Sequence, residues 1–199
     1  MAAIVAIVEG VAEVESIPIL FRRILAHQNI HDISISRPFR VKRNRVVHPQ
    51  ELERAITLAV RDRDNVAGVM VVLDSDDDCP AQLGPDLLAR AQKATKLPTA
   101  IVLAQKELEC WFLGAKESLR GTRGIRNDSA APQDPEAIRG AKERLSRNMP
   151  PSRRYLEVDD QPAFADAMNL DQAQARCSSF AKLMRDLSEL ADAIRANQK

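Results

Sequence analysis

Apolar runs and segments of helical periodicity alternate through the first half of the chain. The apolar runs predict buried β-strands at residues 2–8, 67–74 and 99–104. In the segments that follow these runs, or lie between them, apolar residues recur every three or four positions. This spacing predicts helices at residues 49–64 and 83–96 and one within the segment 13–27. Such an alternation is typical of an α/β fold with a mainly parallel sheet flanked by helices.

Weaker patterns occupy the rest of the chain. We expect the first helix to become regular only near Ile17, because Pro18 fits a first helical turn. Residues 32–41 alternate between apolar and polar positions but contain Pro38, which predicts an edge strand. Two more helices are predicted at residues 135–147 and 178–196. We therefore expect an α/β core at residues 1–114 and a mostly helical extension at 115–199 that packs on it as one compact domain.

Composition narrows the function classes. The 199 residues are 45% hydrophobic and 29% charged, as in a soluble globular protein. The net charge of +1 argues against a general polyanion-binding surface, so contacts with nucleic acid would come from local patches. Three cysteines without a CxxC pair favour a reducing cytoplasm over a disulfide framework or a zinc site. The apolar first ten residues are too short to span a membrane and lack the basic region of a signal peptide.

Carboxylates follow each of the three apolar runs. Within "VMVVLDSDDDCP" (69–80) they are Asp74, Asp76, Asp77 and Asp78, and the other runs are followed by Glu9 and by Glu107 and Glu109. The carboxyl ends of parallel strands meet at one edge of a sheet, where functional groups gather. Crowded carboxylates repel one another, and a hard divalent cation such as Mg²⁺ resolves that conflict. An Asp-rich loop also serves as a solvated turn or a helix N-cap, and for this loop alone that alternative stays open.

The motifs resemble the Toprim fold, the catalytic domain of topoisomerases, DnaG-type primases and OLD-family nucleases. The Toprim pattern is a Glu after the first strand and a DxD after a later strand, as in "IVEG" and "VLDSDDD". This resemblance implies that Glu9, Asp74 and Asp76 are the metal-binding and catalytic residues, with Asp78 as an accessory ligand. Where OLD-type sequences have a Thr-Glu pair, this chain has Ala12 and Glu13, so the threonine hydroxyl is missing.

Nearly the whole chain is similar to the DUF4276 family, a group of compact bacterial Toprim-like proteins. The similar blocks are "VEGVAEVESIPILFRRIL", "LDSDDDCP", "VLAQKELECWFL", "YLEVDDQPAFADAMNLDQA" and "CSSFAKLMRDL". The "ECW" sequence matches the family's E-x-W block and implies that Glu109 is a further metal ligand. The resemblance also implies Mg²⁺ or Mn²⁺ as cofactor, and either nuclease activity or a partner ATPase in a bacterial defence or mobile-element setting.

A basic segment supplies candidate contacts to nucleic acid. Residues 37–45 hold no acid and five cations: Arg37, Arg40, Lys42, Arg43 and Arg45. Along an extended strand, alternation would place Arg37, Arg43 and Arg45 on one side, as a stripe that follows phosphates. Lys142, in a later predicted helix, is a further candidate that could reach the carboxylates. Cations on an edge strand also prevent aggregation, and this alternative remains open. With aromatics at 4%, contacts to the phosphate backbone are favoured over base stacking.

Two hypotheses of different class follow for a protein that we expect to be cytoplasmic and not membrane-bound. The first is a divalent-metal-dependent phosphodiesterase or nuclease in which water is the nucleophile. The second is a non-catalytic Toprim-like binding module that acts with a partner protein such as an ATPase. The single tyrosine, Tyr155, lies beside Arg153 and Arg154. A buried tyrosine with a hydrogen-bonded hydroxyl is nevertheless more common than a nucleophilic one.

Overall fold

A parallel five-stranded sheet forms the centre of the molecule. The computed structural model describes residues 1–46 and 48–198, and of Arg43 and Asn44 it describes only the backbone. The strands are β1 (Ala2–Val8), β2 (Ile33–Ile35), β3 (Phe39–Arg40), β4 (Val66–Asp74) and β5 (Thr99–Ala104). Their order is β2-β1-β4-β5, and β3 also pairs with β1. The pairs among these strands are parallel, which confirms the predicted α/β class.

Helices cover both faces of the sheet. They are α1 (Glu13–His27), α2 (Arg43–Val46), α3 (Glu51–Arg61), α4 (Pro80–Ala94), α5 (Glu109–Gly114), α6 (Ala141–Ser146), α7 (Glu157–Ala167), α8 (Leu170–Arg176) and α9 (Ser178–Asn197). Short 3-10 turns lie at Lys116–Leu119, Thr122–Gly124 and Pro135–Ala137. Among the residues that the structure describes, no helix has both the length and the apolar character needed to cross a membrane.

Successive side chains of the strands point to opposite faces, and this divides the core into two layers. Val5, Ile7 and Val71 pack with α3 and α4 in one cluster of buried residues. Ile4 and Met70 belong to a larger cluster with α1 and α5 to α9. The helices after residue 114 therefore share one hydrophobic core with β1 and β4. The predicted domain boundary at residue 114 stays a prediction.

Three predicted elements differ from the structure. The first helix begins at Glu13 rather than near Ile17, and Pro18 lies inside it. The predicted strand at residues 32–41 is interrupted at Pro38, so β2 and β3 pair separately with the start and the end of β1. The helix predicted at 135–147 is a 3-10 turn followed by α6, because Gly140 adopts φ 69 between them. The helices predicted at residues 49–64 and 178–196 are confirmed as α3 and α9.

Candidate functional site

Four acidic side chains converge at the carboxyl edge of the sheet. Glu9 follows β1, Asp74 ends β4, and Glu109 begins α5, which follows β5; Glu13 is the first residue of α1. The Asp74 N–H donates to Glu9 Oε1 at 2.9 Å, and the Glu9 N–H donates to Glu13 Oε2 at 3.0 Å. The Leu108 N–H donates to Asp74 Oδ1 at 2.7 Å. Carboxylate–backbone hydrogen bonds thus connect the loops that leave three parallel strands.

The ionised forms of these carboxylates destabilise one another. Burial raises the pKa of Asp74 well above its usual range, and the charges of Glu109, Glu13 and Glu9 raise it further. Burial, followed by the charge of Glu9, raises the pKa of Glu13 from 4.5 to about 7, although hydrogen bonds from backbone N–H groups oppose the shift. Burial also raises the pKa of Glu109, and the nearby cation Lys142 partly opposes it. The cluster therefore favours a state that carries extra positive charge, as protons or as a cation.

A buried polar network holds Glu109, which is only 1% exposed. The Tyr155 hydroxyl donates to Glu109 Oε1 at 3.0 Å, and Gln161 Nε2 donates to the same oxygen at 3.2 Å. The Ser16 hydroxyl donates to Gln161 Oε1 at 2.6 Å, which ties the network to α1. Trp111, fully buried, donates from Nε1 to Ser179 Oγ at 2.7 Å and so anchors α5 against α9.

Lys142 is the cation that the fold brings to this cluster. Its Nζ lies 2.9 Å from Glu157 Oε1 at the start of α7. Burial opposes its charge, but the carboxylates of Glu109, Glu157 and Asp74 outweigh burial and raise the pKa of Lys142. The structure thus brings Lys142 into the electrostatic environment of the carboxylates.

The acidic loop after β4 is clamped to the loop after β5. The Ser75 N–H donates to the Ala104 carbonyl at 2.8 Å, and the Lys106 N–H donates to Ser75 Oγ at 2.9 Å. The Asp76 N–H donates to the Lys106 carbonyl at 3.1 Å, with Asp76 in the left-handed region at φ 50. A short aspartate is one of the few non-glycine residues that tolerate this conformation. These hydrogen bonds fix the backbone at Asp76 and so the direction of its Cα–Cβ bond.

The remaining acids of this edge have separate contacts. Asp77 is exposed and lies 2.6 Å from Arg139, which lowers the pKa of Asp77. Glu107 accepts the N–H groups of Gly140 and Ala141 at 2.8 and 3.2 Å, at the start of α6, rather than joining Asp74. Asp76 and Asp77 line a small cavity with Lys106, Glu107, Arg139 and Gly140.

The arrangement is not a preformed metal site. Within residues 1–46 and 48–198, no three His, Cys, Asp or Glu side chains are disposed to hold an ion as they stand. Glu9 and Asp74 each accept a backbone N–H with one oxygen, and Glu13 does the same. The assignment of Glu9, Asp74, Asp76, Asp78 and Glu109 as metal ligands therefore stays a prediction.

The basic segment is a strand only at Phe39–Arg40 and not along its whole length. Arg37 precedes β3 and Arg40 ends it, whereas Arg45 lies in the short helix α2. The prediction that strand alternation aligns Arg37, Arg43 and Arg45 is therefore wrong. The chain turns into a helix after Lys42, where the Arg45 N–H donates to the Lys42 carbonyl at 2.8 Å. The side chain of Arg43 lies outside the described residues.

Glu13 is not among the predicted site residues. Two features of the sequence point to it: it corresponds to the Glu of the OLD-type Thr-Glu pair, and it lies three residues after Gly10. A Cβ on Gly10 would lie 2.8 Å from Glu13 Oε1, so the glycine leaves room for that carboxylate to approach the backbone of the β1–α1 loop. Glu13 lies in the site because α1 begins at this residue, four residues before the predicted start near Ile17.

Replacing Tyr155 by phenylalanine is expected to destabilise the fold by about 1–3 kcal/mol, because buried Glu109 loses a hydroxyl donor and keeps Gln161. Urea denaturation measures the change, and a double-mutant cycle with Glu109→Gln isolates the pair. An unchanged stability of the Tyr155→Phe protein would contradict this assignment.

Comparison with known proteins identifies the family. A solved structure, "C-terminal region of the Xanthomonas campestris pv. campestris OLD protein phased with iodine", is similar to this chain at 16% sequence identity and a TM-score of 0.49. The alignment covers 98% of this chain and 97% of that one. No curated protein matches the sequence. The family described as "Domain of unknown function (DUF4276)" matches residues 8–188. As the sequence blocks predicted, the chain belongs to the DUF4276 family.

Proposed function

We propose that this chain is a divalent-metal-dependent phosphodiesterase that hydrolyses nucleic acid. The observation that carries the proposal is the convergence of Glu9, Glu13, Asp74 and Glu109 at the carboxyl edge of a parallel sheet. Burial and mutual repulsion raise the pKa of Asp74, Glu13 and Glu109, so the cluster is stabilised by added positive charge. Perturbed carboxyl groups gathered at such an edge are characteristic of functional sites.

The donor chemistry fits Mg²⁺ or Mn²⁺. The set consists of carboxylate oxygens, which hard divalent cations prefer. Glu9, Asp74 and Glu13 would turn from backbone N–H groups toward the ion. Asp76 and Asp78 are proposed as further ligands on the Toprim resemblance, and Glu109 on the resemblance to the DUF4276 family. When bound, such an ion polarises a phosphate and lowers the pKa of a bound water.

The chain's own residues would position the substrate. Lys142, beside Glu109 and Asp74, would contact a phosphate oxygen at the carboxylates. Lys106 lines the same small cavity as Asp76 and is a second candidate for this contact. Because Tyr155 is buried and its hydroxyl donates to Glu109, the attacking group in this proposal is water. The resemblance to the DUF4276 family adds a bacterial defence or mobile-element setting to the proposal.

A non-catalytic binding module is the second candidate. It is favoured by the contacts of Glu9 and Asp74, whose carboxylates accept the backbone N–H groups of Asp74 and Leu108. Such contacts serve to connect loops even without an ion. In this case the module would act with a partner protein such as an ATPase.

A cleavage assay separates the two candidates. Plasmid, single-stranded DNA and RNA are incubated with the protein in Mg²⁺, in Mn²⁺ and in EDTA. Wild type should cleave only with a cation, and Asp74→Ala with Asp76→Ala should lose about a hundred-fold or more of the rate. Asp77→Ala is the matched control, because this exposed acid of the same loop pairs with Arg139. Cleavage that survives in the double variant would refute the site. Wild type that neither cleaves nor gains thermal stability with a cation would favour the binding module.

A further inference from the structure

An open groove lies along the start of α1, and its lining includes Ala12 and Val14, the two neighbours of Glu13 in the chain. Its lining includes Val11 and Val158 together with Arg37, Arg40 and Arg63. Val11 lies two residues before Glu13, and Val158 follows Glu157, which is the ion-pair partner of Lys142. The groove therefore borders the carboxylates on the side of α1 and the side of α7.

A basic track leads away from this groove. Phe39 and Arg40 line it and also line an adjoining cavity that contains Lys42, Arg45 and Arg54. The track thus consists of five exposed cations: Arg37, Arg40, Lys42, Arg45 and Arg54. Within the part of the chain that the structure describes, none of the five forms an ion pair, although many other arginines do. Glu15 and Glu51 also line these cavities. The five cations outnumber these two acids and, among the described residues, form no ion pair with them, and such an excess of cations matches a polyanion.

Arg63 holds the track in place. Its guanidinium donates to the carbonyls of Arg37 and Pro38 at 2.7 and 3.2 Å and lies 5.6 Å from the centre of the Phe39 ring. These contacts fix the segment between β2 and β3. They also place a cation over one face of the Phe39 ring, so this face is not open for base stacking.

Two exposed apolar side chains lie in the part of the groove nearest the carboxylates, and they favour a single strand over a duplex. Val11 is 58% exposed and Val158 is 63% exposed, which is unusual for large apolar residues in this chain. The outside of a duplex presents phosphates and sugars, whereas an unpaired strand also presents the apolar faces of its bases. We propose that the groove and track bind single-stranded nucleic acid, with phosphates along the five cations and bases against Val11 and Val158. This inference rests on the proposed function, since it directs an unpaired strand to the carboxylates.

Binding in EDTA tests the groove separately from catalysis. Fluorescence anisotropy with a labelled single-stranded oligonucleotide and the matched duplex should show tighter binding of the single strand. Arg40→Ala with Arg54→Ala should weaken single-strand binding about ten-fold and reduce the slope of log K against log salt by about 1.4. The control, Arg22→Ala with Lys93→Ala, removes the same charge from exposed positions outside the groove and should bind like wild type.

The apolar contact has its own matched pair of variants. Val11→Ser with Val158→Ser should weaken binding of the single strand and leave duplex binding unchanged. Leu156→Ser, which removes a 57% exposed leucine outside the groove, should bind like wild type.

The inference is overturned if the duplex binds as tightly as the single strand or more tightly, or if neither binds. It is also overturned if the groove variants bind like wild type, or if the control variants lose as much affinity as the groove variants. Groove-dependent binding without any cleavage in Mg²⁺ or Mn²⁺ would support the groove and count against the phosphodiesterase. Cleavage by wild type, together with groove variants that bind like wild type, would support the phosphodiesterase and count against the groove.

Discussion

Asp74→Asn is expected to reduce cation-dependent cleavage by roughly a thousand-fold while making the protein more stable in the absence of a cation. The loss of activity follows from the central place of Asp74 among Glu9, Glu13 and Glu109. The gain in stability follows from the same position, because burial and three nearby carboxylates disfavour its negative charge. The asparagine oxygen can still accept the Leu108 N–H, so the hydrogen bond at 2.7 Å is retained.

The gain should be on the order of 1 kcal/mol, as is common when a strained functional group is replaced. Urea denaturation in EDTA at pH 8 measures it, and the cleavage assay is run on the same preparations. Asp77→Asn is the control: it removes a charge from the same loop but breaks the contact with Arg139, so it should leave cleavage intact and give no gain in stability. A destabilised Asp74→Asn protein would show that Asp74 serves the fold, as the binding-module hypothesis requires.

The sheet was the most predictable part of the molecule. A strand buried on both faces must be apolar at consecutive positions, so the runs at 67–74 and 99–104 locate β4 (Val66–Asp74) and β5 (Thr99–Ala104) within one residue. Parallel pairing then brings the residues after these strands to one edge. For this reason, the positions of Glu9, Asp74 and Glu109 at that edge could be predicted from the order of elements alone.

Elements that depend on a single turn could not be predicted. Nothing in the local pattern shows that Pro18 is tolerated inside α1, because the loss of one helix hydrogen bond is offset by packing of Ile17, Leu20 and Phe21 in the core. The change from strand to helix after Lys42 could not be predicted either. A segment with few apolar residues shows neither the two-residue period of a strand nor the 3.6-residue period of a helix.

The surroundings of the carboxylates depend on contacts that are distant in sequence. Ser16 and Gln161 are 145 positions apart, and Tyr155 and Glu109 are 46 apart. Only the packing of α7 against α1 and α5 brings them together. Sequence spacing could therefore suggest the carboxylates, but not the network that holds Glu109 or the burial that raises its pKa.

The stability of the cation-free protein is expected to fall as the pH rises from about 4.5 to about 7. Burial and the charge of Glu9 raise the pKa of Glu13 from 4.5 to about 7 in the folded state. Between these values the folded state binds more protons than the unfolded state, so the free energy of unfolding decreases as protons are removed. The shift corresponds to roughly 3 kcal/mol, and the raised pKa values of Asp74 and Glu109 act in the same direction.

Urea denaturation in EDTA at pH 5, 6, 7 and 8 measures this dependence. Glu13→Gln keeps an oxygen that can accept the Glu9 N–H and removes the titrating group, so its stability should fall less over the range. Glu15→Gln, at an exposed position in the same helical turn, should follow wild type. Carboxyl groups with a lowered pKa, such as Asp32, whose pKa falls to about 2 beside Arg195, change the stability only below pH 4.5. They therefore do not mask the expected decrease between pH 4.5 and 7. If wild type and Glu13→Gln follow the same curve, Glu13 is not the group that titrates. If Mn²⁺ restores the stability of wild type at pH 8 but not that of Asp74→Asn, the same carboxylates hold the cation.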